Sequence, residues 1–334
     1  MNKVIPTVLA ITILFDGCAG MNSGNTTGYG SSENSFEAER ENGHDEVDVI
    51  NIDSEESDSE EQIVEDVNLS EEESDESDGD MNKEPGILNF VDVFGEEYQV
   101  EIDTDIPKHS YNNDCFIHKD SRLSYIGDDR FVSRVGVDVS HHQGTIDWKK
   151  VKESGYEFCF LRIGFRGYGK EGKIREDKEF ERNLRDAQEA GLDVGVYFFS
   201  QAINEDEAAE EANFVIEHLE NKELQLPVVY DPESILDDVA RTDDISGEQF
   251  TKNTVVFCNK IQDAGYAPAI YSNMLWEAYE LDLKELEGIP VWYADYEEYP
   301  QTPYDFRYWQ YTNEANINGI PGLCDADIEL ISTE

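Results

Sequence analysis

Two acidic side chains lie two positions apart at the end of an apolar run, in residues 226–233 (LPVVYDPE). Residues i and i+2 of a strand point to the same face, so Asp231 and Glu233 are predicted to project side by side. Pro232 lacks a backbone N–H, which suits the last residues of a strand. Close carboxyls raise each other's pKa, and a general acid must stay protonated near neutrality. The pattern predicts acid–base chemistry; the ordinary alternative is an Asp that caps the next helix and a Glu in solvent.

Acidic and aromatic side chains are also predicted at the ends of other strands. Asp138 lies near the end of the run 135–139, and Asp295 follows the run 291–294. The aromatic residues at the same rim are Tyr197, Tyr271, Trp292 and Trp309. Carboxylates beside aromatic faces that can stack on pyranose rings are typical of a site that cleaves sugars. Each residue has an ordinary alternative, because an Asp at a strand end often caps a helix and a Tyr often packs in the core.

Six apolar runs after Arg134 are predicted strands, and amphipathic segments alternate with them. The runs are 135–139, 158–163, 194–199, 226–230, 267–271 and 290–293. Several are unbroken, as in strands that are buried on both faces. This alternation predicts an α/β fold, either a parallel barrel or a doubly wound sheet. A barrel would bring the acidic residues together, because its functional loops follow the carboxyl ends of the strands.

Three of the intervening helices are predicted from capping residues and apolar stripes. Asn204 is a predicted N-cap with Glu207 three residues on. Another helix is predicted to begin near Glu179 and to end at Gly191. Ser246 is the predicted cap of a third.

The composition argues against nucleic acid as a partner and against stabilisation by a disulfide framework. The chain has 334 residues and a formal net charge of −51. Nucleic acid is excluded as a partner because phosphate binding needs clustered Lys and Arg. The five cysteines form no C-x-x-C pair and no metal-like spacing, so no disulfide framework is predicted.

The first part of the chain is predicted to export and tether the rest. Residues 1–18 combine a charged start with a short apolar stretch, and the end at Cys18 resembles a bacterial lipobox, which predicts acylation of Cys18. Residues 19–85 are predicted to be a disordered acidic tether; between residues 31 and 84 there are 23 acidic and two basic residues. Residues 86–133, called the lead-in here, hold a predicted hairpin without a chemical signature. Residues 134–334 form the predicted catalytic domain.

Four motifs in the last two hundred residues together resemble the family 25 glycoside hydrolases, the muramidases of the Chalaropsis lysozyme type. They are residues 136–148 (GVDVSHHQGTIDW), residues 160–169 (FLRIGFRGYG), the Asp231-x-Glu233 element, and residues 308–312 (YWQYT). The resemblance covers residue 136 to the C-terminus and keeps the order of the family's motifs.

The resemblance implies a flattened, irregular β/α barrel of the TIM type, with about five β/α units and extra strands. It implies cleavage of the β-1,4 bond between N-acetylmuramic acid and N-acetylglucosamine in peptidoglycan, without a metal or other cofactor. Glu233 matches the family's acid/base and Asp231 its partner carboxylate. Asp138 matches the acid of the first strand and Asp325 the acid near the end, with Asp327 as the alternative to Asp325.

The resemblance also implies a substrate-binding set around these acids. It comprises Arg162 and Gln310, which lie in the matched motifs, Asp295 of the Trp-x-Ala-Asp-Tyr element, and the rim aromatics Tyr197, Tyr271, Trp292 and Trp309. The expected partner is a peptidoglycan glycan strand. The expected location is outside a bacterial cell, with membrane contact only through the lipid on Cys18, and the expected state is a monomer.

Two routes for the chemistry stay open at the level of sequence. In a substrate-assisted route, Glu233 protonates the leaving oxygen while Asp231 orients the 2-acetamido group of the substrate, which attacks the anomeric carbon. In the other route, water attacks with inversion and Asp231 or Asp138 is the base.

Two functions of other classes are alternatives. In the first alternative, the protein is a wall-binding lipoprotein that has lost catalysis, although no catalytic acid is missing. In the second, Asp138, His141 and His142 hold a metal in a polysaccharide deacetylase. Adjacent residues point to opposite sides of an extended chain, which counts against a metal site with both histidines.

Overall fold

The computed structural model describes residues 86–119, 121–220, 222–235 and 238–333. The predicted export signal, Cys18 and the tether of residues 19–85 lie outside these ranges, so acylation and surface anchoring stay predictions. Within the described ranges, no helix combines the length and the apolar composition that crossing a bilayer would need.

Strands and helices alternate along the described residues, and their bounds are as follows. The strands are β1 (Ile87–Val91), β2 (Glu97–Glu101), β3 (Phe116–Lys119), β4 (Arg122–Tyr125), β5 (Phe131–Val139), β6 (Phe158–Arg166), β7 (Ile174–Glu176), β8 (Asp193–Ser200), β9 (Val228–Pro232), β10 (Pro268–Asn273), β11 (Val291–Ala294), β12 (Tyr308–Asn316) and β13 (Leu323–Ser332). The α-helices are α1 (Trp148–Glu153), α2 (Phe180–Ala190), α3 (Glu205–His218), α4 (Gly247–Asp263) and α5 (Met274–Tyr279).

Eight of these strands form a closed barrel. Their order is β5-β13-β12-β11-β10-β9-β8-β6, and β6 also pairs with β5. Neighbouring strands are parallel except for β13, which is antiparallel to both β12 and β5. Closure removes both sheet edges, so the predicted barrel is confirmed and the doubly wound sheet is wrong. The helices lie on the outside.

Side chains inside the barrel change from apolar to polar along the strand direction. The apolar layer consists of Phe158, Phe160, Leu226, Val229, Ala269, Trp292 and Tyr308. Two residues further along several strands, the inward positions are polar or acidic, as at Asp231 on β9 and Gln310 on β12. The barrel therefore presents its polar groups at the carboxyl ends of its parallel strands, above an apolar base.

The capping predictions for the helices are confirmed. The side chain of Asn204 accepts a hydrogen bond from Glu207 N at 3.0 Å and begins α3. Gly191 ends α2 in the left-handed conformation, at φ 81°, where a side chain would be strained. Ser246 accepts from Gln249 N and begins α4.

The lead-in contains two antiparallel hairpins, β1–β2 and β3–β4. Its apolar side chains, among them Phe90 and Phe116, share one buried cluster with barrel residues such as Trp309. Phe116 meets Trp309 edge-to-face, with ring centroids 5.2 Å apart. The hydrophobic core of the barrel therefore continues into the lead-in.

A glycine inside the barrel leads to a prediction about stability. A Cβ on Gly136 would lie 2.3 Å from the ring of Phe158, which is fully buried. Neither the ring nor the strand has free space to move into, so we expect Gly136→Ala to lower the free energy of unfolding by about 3 kcal/mol. Denaturant titration of both proteins measures the difference. Gly169→Ala is the matched control, since a Cβ there meets nothing within 4 Å. Equal stability of the two variants would contradict the packing argument.

Candidate active site

Three strands and one loop bring an acid cluster together at the carboxyl ends of the parallel strands. Its members are Asp138 on β5, Asp231 on β9, Glu233 directly after β9, and Asp325 and Asp327 on β13. Each of the aspartates has its pKa raised by burial, and in each case another carboxylate of the cluster adds to the shift. The four carboxyl groups predicted as catalytic therefore belong to one cluster whose charges interact.

Asp231 and Glu233 form the predicted adjacent pair. Asp231 is only 4% exposed, whereas Glu233 is half-buried. Burial raises the pKa of Asp231 well above its usual range, and the negative charge of Glu233 and a hydrogen bond between the two side chains raise it further. Burial and the neighbouring charge therefore favour the protonated form of Asp231. Among the described residues, Oδ1 of Asp231 has no hydrogen-bond partner although it is buried.

Gln310 connects Asp138 to two tyrosines. Its Nε2 donates to Asp138 Oδ2 at 2.8 Å, and its Oε1 accepts from Tyr296 Oη at 2.8 Å and from Tyr271 Oη at 3.3 Å. Two hydroxyl donors on Oε1 determine which way the amide points, so Nε2 must face the acid. Burial and the charges of Asp325 and Asp327 raise the pKa of Asp138 well above its usual range, while the bond from Gln310 acts in the opposite direction.

The structure answers the question of whether Asp325 or Asp327 faces inward. Both do, because they lie two apart on β13, where Asp325 pairs with Asp138 and Asp327 pairs with Gly136. Asp327 is fully buried and accepts from Trp292 Nε1 at 2.8 Å. Asp325 is half-buried, and burial raises its pKa to about 7. Asp325 is therefore the member nearer the surface, and Asp327 lies below it.

Arg162 supplies positive charge at the same end of the barrel. Its Nε donates to Asp177 Oδ2 at 2.9 Å, and its guanidinium also contacts His141. The charge of Arg162 lowers the pKa of Asp231, against the effect of burial. The Arg162 side chain is 12% exposed.

The predicted aromatic set divides into two groups. Tyr197 and Tyr271 are half-buried at the rim and meet Trp292 edge-to-face, with ring centroids 5.8 Å and 5.0 Å from it. Trp292 and Trp309 are 1% and 0% exposed. Trp292 stacks on Phe160 inside the barrel, and Trp309 points to the outside, against Phe116. The prediction that these two tryptophans stack on a sugar is wrong, because packing covers their rings.

Asp295 organises a loop. Its Oδ1 accepts from Glu297 N at 3.1 Å, and its Oδ2 accepts from Gln301 N and from Tyr293 Oη, both at 2.8 Å. The carboxylate is 6% exposed, so its oxygens are committed to the loop that follows β11. The structure thus corrects the predicted substrate contact: Asp295 shapes the loop that carries Tyr296.

Glu277 on α5 is a buried carboxyl group outside the acid cluster. It is 6% exposed and accepts a hydrogen bond from the hydroxyl of Thr302. Burial raises its pKa to about 8. Because the folded-state pKa exceeds the unfolded one, the stability that this group contributes is present below about pH 4.5 and is lost as pH rises to 8.

A prediction about pH follows from Glu277. Glu277→Gln keeps an acceptor for Thr302 and removes the titration, so between pH 5 and 8 the variant should lose less stability than the wild type. The difference approaches about 1.4 kcal/mol per pH unit for a single group. Denaturant unfolding at four pH values measures it, with exposed Glu217→Gln as the control. Identical pH slopes for the wild type and Glu277→Gln would disprove the assignment.

The proposed metal site of the deacetylase alternative is not assembled. Asp138 faces Gln310, whereas His141 Nδ1 lies 3.1 Å from Asp177 Oδ2 and its ring is tilted by 36° against that of His142. In the part of the chain that the structure describes, no three His, Cys, Asp or Glu side chains are grouped as metal ligands would be.

Sequence reasoning missed several residues that complete the site. Tyr296 is the last residue of the matched Trp-x-Ala-Asp-Tyr element, so the motif itself points to this residue. Gln201, one residue beyond β8, is 1% exposed and donates from Nε2 to the backbone oxygen of Glu233. Asp177 lies beyond β7 and gave no signal, because its partners Arg162 and His141 are distant in sequence.

Comparison with known protein families agrees with the geometry. The model of the family described as "Glycosyl hydrolases family 25" matches residues 137–320. The autolytic lysozyme of Clostridium acetobutylicum is 24% identical over 193 residues, which are 58% of this chain and 54% of that protein. The uncharacterized protein YegX of Escherichia coli K12 is 26% identical over 205 residues, covering 58% of this chain and 68% of YegX.

A solved structure extends the likeness to the fold. The modular autolysin LytC of Streptococcus pneumoniae, solved with a synthetic peptidoglycan ligand, superposes with a TM-score of 0.53 at 23% identity. The superposition covers 73% of this chain and 56% of LytC. The chain thus spans about half the length of LytC and of the Clostridium lysozyme.

Proposed function

The chain belongs to glycosyl hydrolases family 25, and from that premise we propose that it is a lysozyme that cleaves the β-1,4 bond between N-acetylmuramic acid and N-acetylglucosamine in peptidoglycan. One observation carries the proposal: the hydrogen-bonded carboxyls of Asp231 and Glu233 at the end of β9, the first with a buried, unpaired oxygen among the described residues. The name of the Clostridium acetobutylicum relative, autolytic lysozyme, supports the same reaction.

Glu233 is the proton donor in this mechanism. It is half-buried, so it can reach a substrate oxygen, and its side chain is hydrogen-bonded to that of Asp231. Glu233 transfers this proton to the glycosidic oxygen as the bond to the anomeric carbon breaks. The hydrogen bond from Gln201 to the backbone oxygen of Glu233 helps to orient that residue. In the second step water attacks the anomeric carbon, the bond from that carbon to the acetamido oxygen breaks, and Glu233 takes the proton that the water loses.

Asp231 acts on the 2-acetamido group of the substrate. Its Oδ1 is a buried acceptor that lacks a donor in the described part of the chain, and the N–H of the acetamido group is a donor of the required kind. That hydrogen bond aligns the acetamido oxygen for attack on the anomeric carbon, and the carboxylate opposes the positive charge that develops. The substrate-assisted route therefore explains the unpaired oxygen better than direct attack by water does.

The remaining carboxylates and the half-buried side chains bind the glycan around this centre. Asp138 and Asp325 are register partners on β5 and β13, beside the place where the oxocarbenium character develops. Tyr197 and Tyr271 offer partly exposed rings to the sugars, and Arg162 offers hydrogen-bond donors. Gln310 keeps Asp138 in position.

Muropeptide analysis tests the proposal. Purified peptidoglycan is digested, the products are reduced with borohydride, and mass spectrometry identifies the sugar at each new reducing end. A muramidase gives reduced muramic acid, whereas reduced glucosamine would overturn the assigned bond. Loss of acetyl groups with intact strands, abolished by a chelator, would favour the deacetylase. Binding to the wall without release would favour the inactive wall-binding protein.

Stereochemistry tests the mechanism separately. The substrate-assisted route retains the configuration at the anomeric carbon, which NMR detects in the first product formed from a soluble glycan. Inversion would assign Asp231 or Asp138 as a base that activates water.

A further inference from the structure

Residues 295–307 connect β11 to β12, and no helix forms among them. In place of a helix, the lead-in packs against this connection. We propose that the lead-in is a working part of the active site. It holds the loop of residues 295–301 through its contact with Gln301 of the loop and through its own His118. The loop in turn positions Tyr296, which keeps Gln310 aimed at Asp138. Gln301 and His118 are then positioning residues, and this inference rests on the proposed function.

Gln301 makes the first connection between the lead-in and the loop. Its Oε1 accepts from Val91 N at 2.8 Å, and its Nε2 donates to Val91 O at 2.9 Å. One side chain thus satisfies both backbone groups of a residue at the end of β1. The same Gln301 donates from its backbone N to Asp295 Oδ2 at 2.8 Å and from Nε2 to Asp295 Oδ1 at 3.3 Å. Gln301 therefore joins the lead-in directly to the carboxylate that shapes the loop.

His118 makes a second connection at the outer part of the loop. Its Nε2 lies 2.8 Å from the backbone oxygen of Glu298. The β3–β4 hairpin that carries His118 is held in place by Phe116, which packs on Trp309. Trp309 in turn donates from Nε1 to the backbone oxygen of Asp295 at 2.7 Å. The lead-in thus contacts the loop directly at Glu298 and Gln301, and it reaches Asp295 through Trp309.

Tyr296 transmits this position to the acid cluster. It is the residue after Asp295, and its hydroxyl donates to Gln310 Oε1 at 2.8 Å, a shorter contact than the 3.3 Å of Tyr271. Gln310 presents Nε2 to Asp138 only while its Oε1 is held by these hydroxyls. Displacement of the loop would therefore free the Gln310 amide to rotate and would remove the hydrogen bond from Asp138. Small displacements of this kind are costly in catalysis.

The test uses the full chain and two single variants with a matched control. Gln301→Leu removes the bonds to Val91 and the side-chain bond to Asp295 Oδ1, whereas His118→Ala, at an exposed position, removes only the lead-in's bond to Glu298. Gln99→Leu is the control, because its exposed side chain bonds Asn89 on the neighbouring strand of the β1–β2 hairpin and, among the described residues, makes no bond to the loop. We expect kcat on peptidoglycan to fall about tenfold for Gln301→Leu and about threefold for His118→Ala, with a smaller change in KM, and Gln99→Leu to match the wild type.

Two readouts separate positioning from general loss of stability. Hydrogen exchange should accelerate in peptides that cover residues 295–301 in Gln301→Leu and His118→Ala, and not in Gln99→Leu. Tyr296→Phe should lower kcat about thirtyfold, and the double variant Gln301→Leu with Tyr296→Phe should be no slower than Tyr296→Phe alone, since both act through one hydroxyl.

Several results would overturn the inference. Multiplicative losses in the double variant, or wild-type kcat in both single variants, would show that the lead-in does not act through Tyr296. If Gln301→Leu does not fold, His118→Ala combined with Tyr296→Phe provides the same cycle. An inactive wild type would count against the proposed function alone, because the exchange of residues 295–301 still reports whether the lead-in holds the loop.

Discussion

Glu233→Gln is expected to lower kcat on peptidoglycan by at least about 10²-fold while binding to the wall persists. The amide keeps the size and the hydrogen-bonding shape of the side chain but cannot give its proton to the glycosidic oxygen. Cleavage must then proceed with an unprotonated leaving group. Initial rates of muropeptide release measure kcat, and co-sedimentation with purified wall measures binding.

The control for this variant is Glu314→Gln, an exposed glutamate on β12 outside the acid cluster. It should release muropeptides at the wild-type rate. Thermal unfolding of both variants checks that the fold is retained. Near-normal release by Glu233→Gln would remove the basis for a glycosidase centre at the end of β9.

Asp231→Asn is expected to lower kcat by about 10²–10³-fold for a different reason. The substitution removes the charge that opposes the developing positive centre and weakens the acceptor for the acetamido N–H. Because Asp231 is buried and its pKa is raised, the neutral amide should fit the site without loss of stability. Denaturant unfolding should therefore give at least wild-type stability at pH 7.

An activated substrate distinguishes the two roles. An aryl glycoside with a good leaving group needs little help from an acid, so it should partly restore the rate of Glu233→Gln. It should leave Asp231→Asn slow, because the defect there lies at the anomeric carbon. Equal rescue of both variants would reverse or merge the two assignments.

The features that sequence analysis predicted correctly are those set by local patterns. The i, i+2 spacing of Asp231 and Glu233 requires only that the chain be extended, so their adjacency follows from the strand itself. The helix ends at Asn204, Gly191 and Ser246 depend on side-chain hydrogen bonds or backbone angles within one turn. Such features do not depend on the distant parts of the fold.

The features that sequence analysis missed depend on which strands become neighbours. Trp292 and Trp309 both lie in aromatic strands, and only the barrel determines that one ring is buried inside and the other is covered outside. The inward orientation of both Asp325 and Asp327 follows from the antiparallel pairing of β13 with β5. The contact of Gln301 with Val91 spans 210 positions, and no local pattern reports it.

The position of β13 has a consequence for when the protein becomes competent during folding. Asp138 and Asp325 are register partners although they are about 190 residues apart, and β13 is the strand that closes the barrel. The acid cluster exists only when the first and the last strand of the barrel are paired. Hydrolytic activity should therefore appear no earlier than that pairing.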